Sequence, residues 1–369
     1  MRIALVVTGG VDRSGRERVL PVLLWLVERL ARRHHVSVYA LRHYDKPCSY
    51  PLLGASIHDL GRPSGVFRQY RSLLRALGRD GPFDTLHAFW ALPCGLVAAA
   101  AARRLRVPSI VTLSSGELVS FPEIDYGLQR RQRQRLAVAA TLRLATKLTV
   151  ASGFMQRLAR AHGAEALLIP NGVDTRFFVP ATRPDGPPWR LLTVASLSLV
   201  KDQTTLLQGF CRLRDRIPDV HLDIVGEDTL GGMVQGVARS LNVDAHVTFH
   251  GFQPTDRLLP LYQRAHLFVL SSRHEASSVA MLEAAACGVA TVGTNVGYVA
   301  DWTPDLALGV PFGDPVALAD AIAQLLEDSA QRERIAAAAR KWTLAHDADW
   351  SAEQFERLYG DLIRARTGS

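Results

Sequence analysis

Twice along this chain, short runs of aliphatic and β-branched residues alternate with helical patterns, and a proline-rich break separates the two series. Few architectures accept such a pattern. A strand, a helix and a second strand build a βαβ unit, and successive units build a parallel sheet. In the first series the strand candidates are residues 2–8, 36–41, 85–89, 109–113 and 147–152, with a helical face over 19–33. In the second they are 190–196, 221–226, 247–252, 267–272 and 289–294. Helical patterns cover 203–217 and 315–328, and the segment 350–365 reads as one more amphipathic helix. Residues 180–188 (PATRPDGPP) hold four prolines and one glycine in nine residues, a composition that stops regular structure. The expected organisation is an N-terminal domain over 1–180, a linker over 181–188 and a second domain over 189–345. A C-terminal helix over 346–369 is expected to pack back toward the first domain.

Composition supports two full cores. The chain has 369 residues, of which 48% are hydrophobic and only 7% aromatic, the aliphatic bias of parallel α/β proteins. Cys48, Cys94, Cys211 and Cys287 are scattered with no C-x-x-C pair, which argues against a disulfide framework or a zinc site and for a reducing compartment. The N-terminus runs directly into a strand pattern, and the longest uncharged apolar run, 88–102, contains Pro93 and is too short to span a bilayer. A soluble, cytoplasmic protein is expected.

The net charge of +8 is unevenly spread: residues 1–185 carry 27 Lys+Arg against 13 Asp+Glu, and the remainder 16 against 22. A basic first half suits an anionic partner such as lipid headgroups, a lipid-linked phosphate or an acidic glycan. Nucleic acid is not indicated, because no binding motif or aromatic–basic interleaving accompanies the charge. The densest basic patch, 127–147, sets Arg130, Arg131, Arg133 and Arg135 before an apolar helix, a pattern compatible with a peripheral contact on the inner face of an anionic membrane.

Chemistry concentrates in residues 271–301. Glu275 follows an apolar strand pattern, and Glu283 lies about two turns into the next helix if that helix starts near Ser277. Ionised carboxylates only accept hydrogen bonds, so the pair suits polyhydroxyl partners. Ser277 and Ser278 stand where N-cap residues belong, and the N–H groups behind them suit a phosphate. Lys201, one of four lysines, sits at a strand-to-helix turn, where a compact charge can neutralise a diphosphate. The turn after the first strand, TGGVDRSG, lacks G-x-G-x-x-G spacing, so a dinucleotide fingerprint is not supported.

With these residues in view, the chain resembles the retaining glycosyltransferases of family 4, which have the GT-B fold of two facing Rossmann-like domains with an interdomain cleft. The resemblance is carried by the glycine turn, DTLHAFWALPCGLVAA, IPNGVDTRFFVP, VKDQTTLLQGF, IVGED, VTFHGF and the 271–301 block with its E-x(7)-E pair. It implies a transferase moving a sugar from a nucleotide-diphosphate donor to an acceptor hydroxyl on a glycan, a lipid-linked molecule or a small molecule. It also implies retention at the anomeric carbon and no metal or other cofactor. By position, Glu275 meets donor-sugar hydroxyls, Glu283 the ribose, the backbone of Ser278 and Val279 the diphosphate, and Phe252 the base. Lys201 neutralises the leaving group, with Ser196 beside it, while Gly9 and Gly10 give the first domain's loop close approach to the donor.

Three departures stand out. Ser196 replaces a frequent arginine, Ala276 follows Glu275 where glycine is usual, and Ser114 stands at the position of the first domain's histidine. His87 and His274 are candidate substitutes for that histidine, and Glu117 with the loop PEIDYG completes the acceptor-side candidates. Two other readings remain: a non-catalytic sugar-nucleotide-binding descendant of a transferase, and a GT-B-type nucleotide-sugar epimerase or hydrolase.

Overall fold

The computed structural model describes residues 1–367. The described residues form two units, one of Met1–Asn171 with the segment from Ala348 onward, the other of Gly172–Asp347. The first unit contains β1 (Arg2–Val7), α1 (Pro21–Ala31), β2 (His35–Ala40), β3 (Cys48–Leu52), β4 (Ala55–Asp59), α2 (Val66–Asp80) and β5 (Thr85–Phe89). It continues with α3 (Leu96–Leu105), β6 (Ser109–Leu113), α4 (Gln132–Leu144), β7 (Lys147–Val150), α5 (Gly153–Ala161) and β8 (Ala166–Leu168). Its sheet runs β3-β4-β2-β1-β5-β6-β7-β8, and every pairing is parallel except β3 with β4. Residues Ile3–Val7 of the central strand are fully buried, as a strand covered on both faces must be.

The second unit contains β9 (Trp189–Val194), α6 (Gln203–Arg216), β10 (Val220–Val225), α7 (Met233–Ser240), β11 (Val247–Phe249), α8 (Thr255–Arg264) and β12 (Leu267–Leu270). After these come α9 (Val279–Ala286), β13 (Ala290–Thr294), α10 (Gly297–Trp302), β14 (Leu308–Val310), α11 (Pro315–Glu327) and α12 (Ser329–Ala345). The sheet is parallel throughout, in the order β11-β10-β9-β12-β13-β14, the doubly wound arrangement. One face buries Leu191, Leu222, Ile224, Leu267 and Val269 against Leu206, Phe210, Leu318 and Ile322 of α6 and α11. Among the described residues no helix is long and apolar enough to cross a membrane.

The last helix, α13 (Ala348–Thr367), belongs to the first unit. Ala352, Phe355, Leu358 and Tyr359 share one buried cluster with Ile3, Val27, Leu30 and Val38, and the Arg29 guanidinium donates to Asp349 at 3.1 Å. Tyr359 also reaches the sheet. Its hydroxyl lies 2.7 Å from His87 Nδ1, and His87 Nε2 lies 2.7 Å from Thr112 Oγ1. Complete burial lowers the His87 pKa to about 3 and keeps the ring neutral. His87 therefore does not face an acceptor, as the sequence had suggested; both of its nitrogens are committed inside the first unit.

The division also differs from the expected one. It falls at Asn171 rather than at 180, and the proline-rich stretch is part of the second unit. Arg183 donates to the Gly288 carbonyl at 2.7 Å, His266 Nε2 donates to the Pro184 carbonyl at 2.9 Å, and Phe178 packs edge-on against Tyr262. Prolines make the segment extended and poor in donors, which suits a strap across a surface as well as a linker. The β3–β4 hairpin escaped the sequence pattern because Leu53 takes a left-handed φ of 51° beside Gly54, where asparagine or aspartate would have signalled the turn.

Tyr359→Phe removes the hydroxyl that pairs with the buried His87 nitrogen. It is expected to lower the stability of the first unit by about 1–3 kcal/mol, the cost of an unsatisfied buried polar group, as measured by urea denaturation.

Candidate functional site

In the second unit β9 and β12 lie side by side, with Leu191 opposite Leu267, although two strands, β10 and β11, come between them in the chain. The order turns back here, so the loops leaving these two strands diverge and open a crevice at their carboxyl ends. One loop carries Lys201, the other Glu275. After β9 the chain turns through Leu197 and Ser198 into α6, whose N-cap Asp202 has φ 49° and accepts from the Thr205 N–H. After β12, Ser271 Oγ donates to the Lys201 carbonyl at 2.8 Å and the Arg273 N–H donates to the Val200 carbonyl at 2.8 Å. Arg273 Nε adds an ion pair to Asp202 at 3.1 Å. These bonds stitch the two loops together.

The result is a short ion pair. Lys201 Nζ lies 2.6 Å from Glu275 Oε1, which also accepts from Ser272 Oγ at 2.7 Å. The lysine side chain is 25% exposed and the glutamate 7%. Glu275 Oε2 has no hydrogen-bond partner among the described residues, so one acceptor stays available on a carboxylate that is otherwise locked. Gly297 makes room for it. At φ 54°, a Cβ there would approach Glu275 Cβ to 2.9 Å.

α9 begins at Val279, with Ser278 as N-cap accepting from the Met281 N–H, slightly later than the expected start near Ser277. The first-turn N–H groups of Val279 and Ala280 have no helical acceptor and face the crevice end of the helix. Glu283 lies in the second turn, buried, and accepts from the Tyr262 hydroxyl at 2.6 Å. Burial pushes its pKa up to about 7, and the Tyr262 bond partly opposes that shift. The Tyr262 hydroxyl is itself pushed well above its ordinary range by burial, so it remains a donor.

The remaining donor-side candidates of this unit cluster at the same sheet edge. Ser196 is exposed just beyond β9, and its carbonyl accepts from Gln203 Nε2. Phe252, 51% exposed, follows β11 on a turn tied back by the Gly226 N–H to the Gly251 carbonyl at 2.9 Å. Gly226 has φ 153°, and a Cβ there would overlap the Ala195 carbonyl. The structure joins Lys201 to Glu275 directly, sets Ser196, Phe252, Ser278 and Val279 on segments that follow strands of the same sheet, and buries Glu283 against Tyr262. Ser272 and Tyr262 join them without having been read from the sequence. Ser272 sits within the motif, but Tyr262 is 21 residues from Glu283 on another helix and carried no local signal.

Gly9 and Gly10 lie in the first unit, beyond β1. Gly10 has φ 83°, and a Cβ would meet Leu20 Cδ1 at 2.7 Å, so the loop's own closure already requires glycine. Glu117 is 1% exposed, and its carboxylate accepts the N–H groups of Ser114 at 3.1 Å, Ser115 at 2.7 Å and Ala91 at 3.3 Å. It organises the loop after β6 and is not open to an acceptor. Ser114 is one of the residues it holds. His274 is buried as well, at 3% exposure.

Residues 174–342 match the family Glycosyl transferases group 1, and residues 19–172 match the Glycosyl transferase 4-like domain. Glycogen synthase of Mycobacterium tuberculosis is 30% identical over 286 residues, spanning 75% of this chain and 68% of that protein. Sucrose-phosphate synthase of Thermosynechococcus elongatus superposes with a TM-score of 0.83 at 21% identity, covering 99% of this chain and 100% of that one. HepE of Anabaena, solved with UDP-glucose, superposes with a TM-score of 0.75 at 17% identity, covering 98% and 100%. The chain belongs to the group 1 glycosyl transferases and is a glycosyltransferase of GT-B fold.

Proposed function

We propose that this glycosyltransferase takes a nucleoside-diphosphate sugar and moves the sugar to an acceptor hydroxyl with retention at the anomeric carbon. The observation that carries the reading is the Lys201–Glu275 pair at the turn of the sheet, with one carboxylate oxygen unclaimed. Sugar hydroxyls donate to that oxygen, ribose hydroxyls donate to Glu283, and the diphosphate meets the Val279 N–H and Lys201. The bond from the anomeric carbon to the diphosphate oxygen breaks as the acceptor oxygen bonds to the same face. The acceptor's proton passes to the departing phosphate oxygen, and no protein nucleophile is required. Charge developing on the leaving group is met by Lys201 and the helix N–H groups, not by a metal. That HepE shares the fold and was solved with UDP-glucose supports a nucleotide-sugar donor.

A nucleotide should stabilise the fold. At a hundredfold excess over its Kd, the matching diphosphate among UDP, GDP and ADP is expected to add about 2.7 kcal/mol, read as a rise in thermal midpoint. Lys201→Ala should keep most of the fold but lower kcat about 100-fold or more, the scale for losing one transition-state charge partner. If no diphosphate shifts the midpoint, the reading fails. Donor binding without transfer to any acceptor would point instead to a non-catalytic descendant.

Glu283 adds a pH dependence. Its folded pKa of about 7 exceeds the ordinary 4.5, so the folded state holds the proton more tightly than the unfolded chain. Stability contributed by that proton is present below about pH 4.5 and is lost as pH rises to about 7. Ribose hydroxyls favour the ionised form, so donor affinity should rise with pH toward 7 and level off above it. Glu283→Gln should flatten that profile, weaken donor binding, and raise stability at pH 8 by on the order of 3 kcal/mol with little gain at pH 4.5. Calorimetry and denaturation at the two pH values check both arms.

We also propose a peripheral contact with anionic membrane through α4. A groove of about 900 Å³ runs along it, with Arg135, Arg143 and Lys147 at its rim and Leu142 and Leu148 among its apolar walls. Leu136 in the same groove is 65% exposed. Basic charge around an exposed apolar strip complements an acidic lipid surface. Co-sedimentation with phosphatidylglycerol vesicles is expected, falling with salt and absent with phosphatidylcholine. Arg135→Glu combined with Arg143→Glu should weaken it on the order of 1,000-fold, at roughly 1 kcal/mol per charge removed and as much again per charge reversed.

A further inference from the structure

The first unit has a turning point of its own, where β1 lies between β2 and β5. A cavity of about 370 Å³ opens at the carboxyl ends of these strands, lined by Thr8, Trp90, Leu92, Ser115, Asp125 and Tyr126 with others. Its position follows the same rule as the crevice of the second unit. Its lining is different in kind.

Trp90 adopts φ 68° and ψ 140°, a region that L side chains avoid and glycine tolerates. Two backbone bonds hold it there, from its N–H to the Thr112 carbonyl and from the Gly95 N–H to its own carbonyl, both 2.9 Å. Neither bond needs an indole. Glycine would make both without strain, so the large side chain answers to something other than the turn. One part of it rests on the buried cluster around β1 and α1, and it also borders the cavity.

The opposite wall is built with similar effort. Phe121 and Tyr126 close a small hairpin with hydrogen bonds of 2.8 and 3.1 Å, and Asp125 between them takes a left-handed φ of 51°. The Tyr126 ring lies over Gly116, where a Cβ would come within 2.7 Å of it. Gly127, at φ 95°, completes the turn, since a Cβ there would collide with the Val119 carbonyl. Asp125 is paired with Arg130, which also lines the cavity. Non-glycine residues in strained conformations gather at ligand sites, and two of them border this one cavity.

The chemistry is that of a neutral polyol. Arg130 is balanced by Asp125, and Glu117, also in the lining, is spent on three backbone N–H groups, so nothing pulls a free anion in, while Asp125 and Arg130 can exchange hydrogen bonds with hydroxyls. Thr8 and Ser115 add two hydroxyls of their own. An indole face is electron-rich and apolar, and the C–H face of a pyranose or cyclitol ring is its complement. The volume is at the small end of ligand sites, enough for one ring.

We infer that this cavity is a saccharide subsite that takes one neutral six-membered polyhydroxyl ring, stacked on Trp90. Its meaning rests on the transferase reading, in which that ring belongs to the acceptor, but binding is read without any nucleotide. Saturation-transfer NMR on the full chain uses methyl α-D-glucopyranoside, methyl α-D-mannopyranoside and myo-inositol as probes. At least one is expected to receive saturation at its ring C–H protons. Trp90→Ala should weaken that probe about tenfold or more and Trp90→Phe less than about threefold, since phenylalanine keeps a stacking face. Trp90→Gly, which relaxes the backbone but gives up the indole's packing on the β1 and α1 cluster, should lose the probe, and Tyr126→Ala serves if a Trp90 variant does not fold. In turnover, the acceptor KM should rise with the donor KM unchanged. Absence of saturation for all three probes, undiminished binding in Trp90→Gly and Tyr126→Ala, or binding of glycerol 3-phosphate alone overturns the inference. A wild-type chain that binds a ring probe but no nucleoside diphosphate would sink the transferase reading and leave the subsite standing.

Discussion

A parallel sheet whose strand order turns back on itself leaves its turning point uncovered, because the crossovers on either side depart toward opposite faces. Each unit of this chain has one such place, between β9 and β12 and between β1 and β5. Polar groups can gather there because water or a ligand can still reach them. Along their own length even the strands at these places are covered on both faces, as Ile3–Val7 and Leu267–Leu270 show. The loop-to-loop bonds of Ser271 and Arg273, the clearance given by Gly297 and the tie from Gly226 to Gly251 all serve the turning point of the second unit. They fix where a carboxylate and an ammonium meet.

Much of this could be read from the chain, for physical reasons that also explain the rest. Strands buried on both faces are written as unbroken apolar runs, and helices as a 3.6-residue pattern, so the two series of elements were visible. Strands of three residues such as β8 and β14 bury too little to leave a pattern. The two glutamates were legible because both sit in one local strand–turn–helix unit. Tyr262 was not, since nothing local ties α8 to α9. Glu117 and His87 show the opposite failure. Their chemistry suits a site, yet the fold turns it inward, onto backbone N–H groups in one case and onto Tyr359 and Thr112 in the other. A sequence shows what a side chain can bond to, not which partner arrives first.

Both candidate sites carry a cost that folding alone would avoid. Glu283 is a buried carboxylate with one hydroxyl for company, and Trp90 is a large residue in a conformation meant for glycine. Glutamine at 283 would spare the buried charge, and glycine at 90 would relieve the backbone at the expense of the indole's packing on the core. The presence of Glu283 and Trp90 at the two turning points is the kind of local inconsistency that marks where a protein does its work.

The return of α13 to the first unit sets an order of events during synthesis. Residues 172–347 form a continuous unit, so all of it has emerged from the ribosome before the first unit has its last helix. Until Phe355 and Tyr359 arrive, Ile3, Val27 and Val38 lack part of their cover, and His87 sits on β5 without the hydroxyl that satisfies it. The half of the chain made first is therefore the half completed last. A nascent chain halted anywhere before residue 348 would expose that apolar face, and chaperones would be the first to find it.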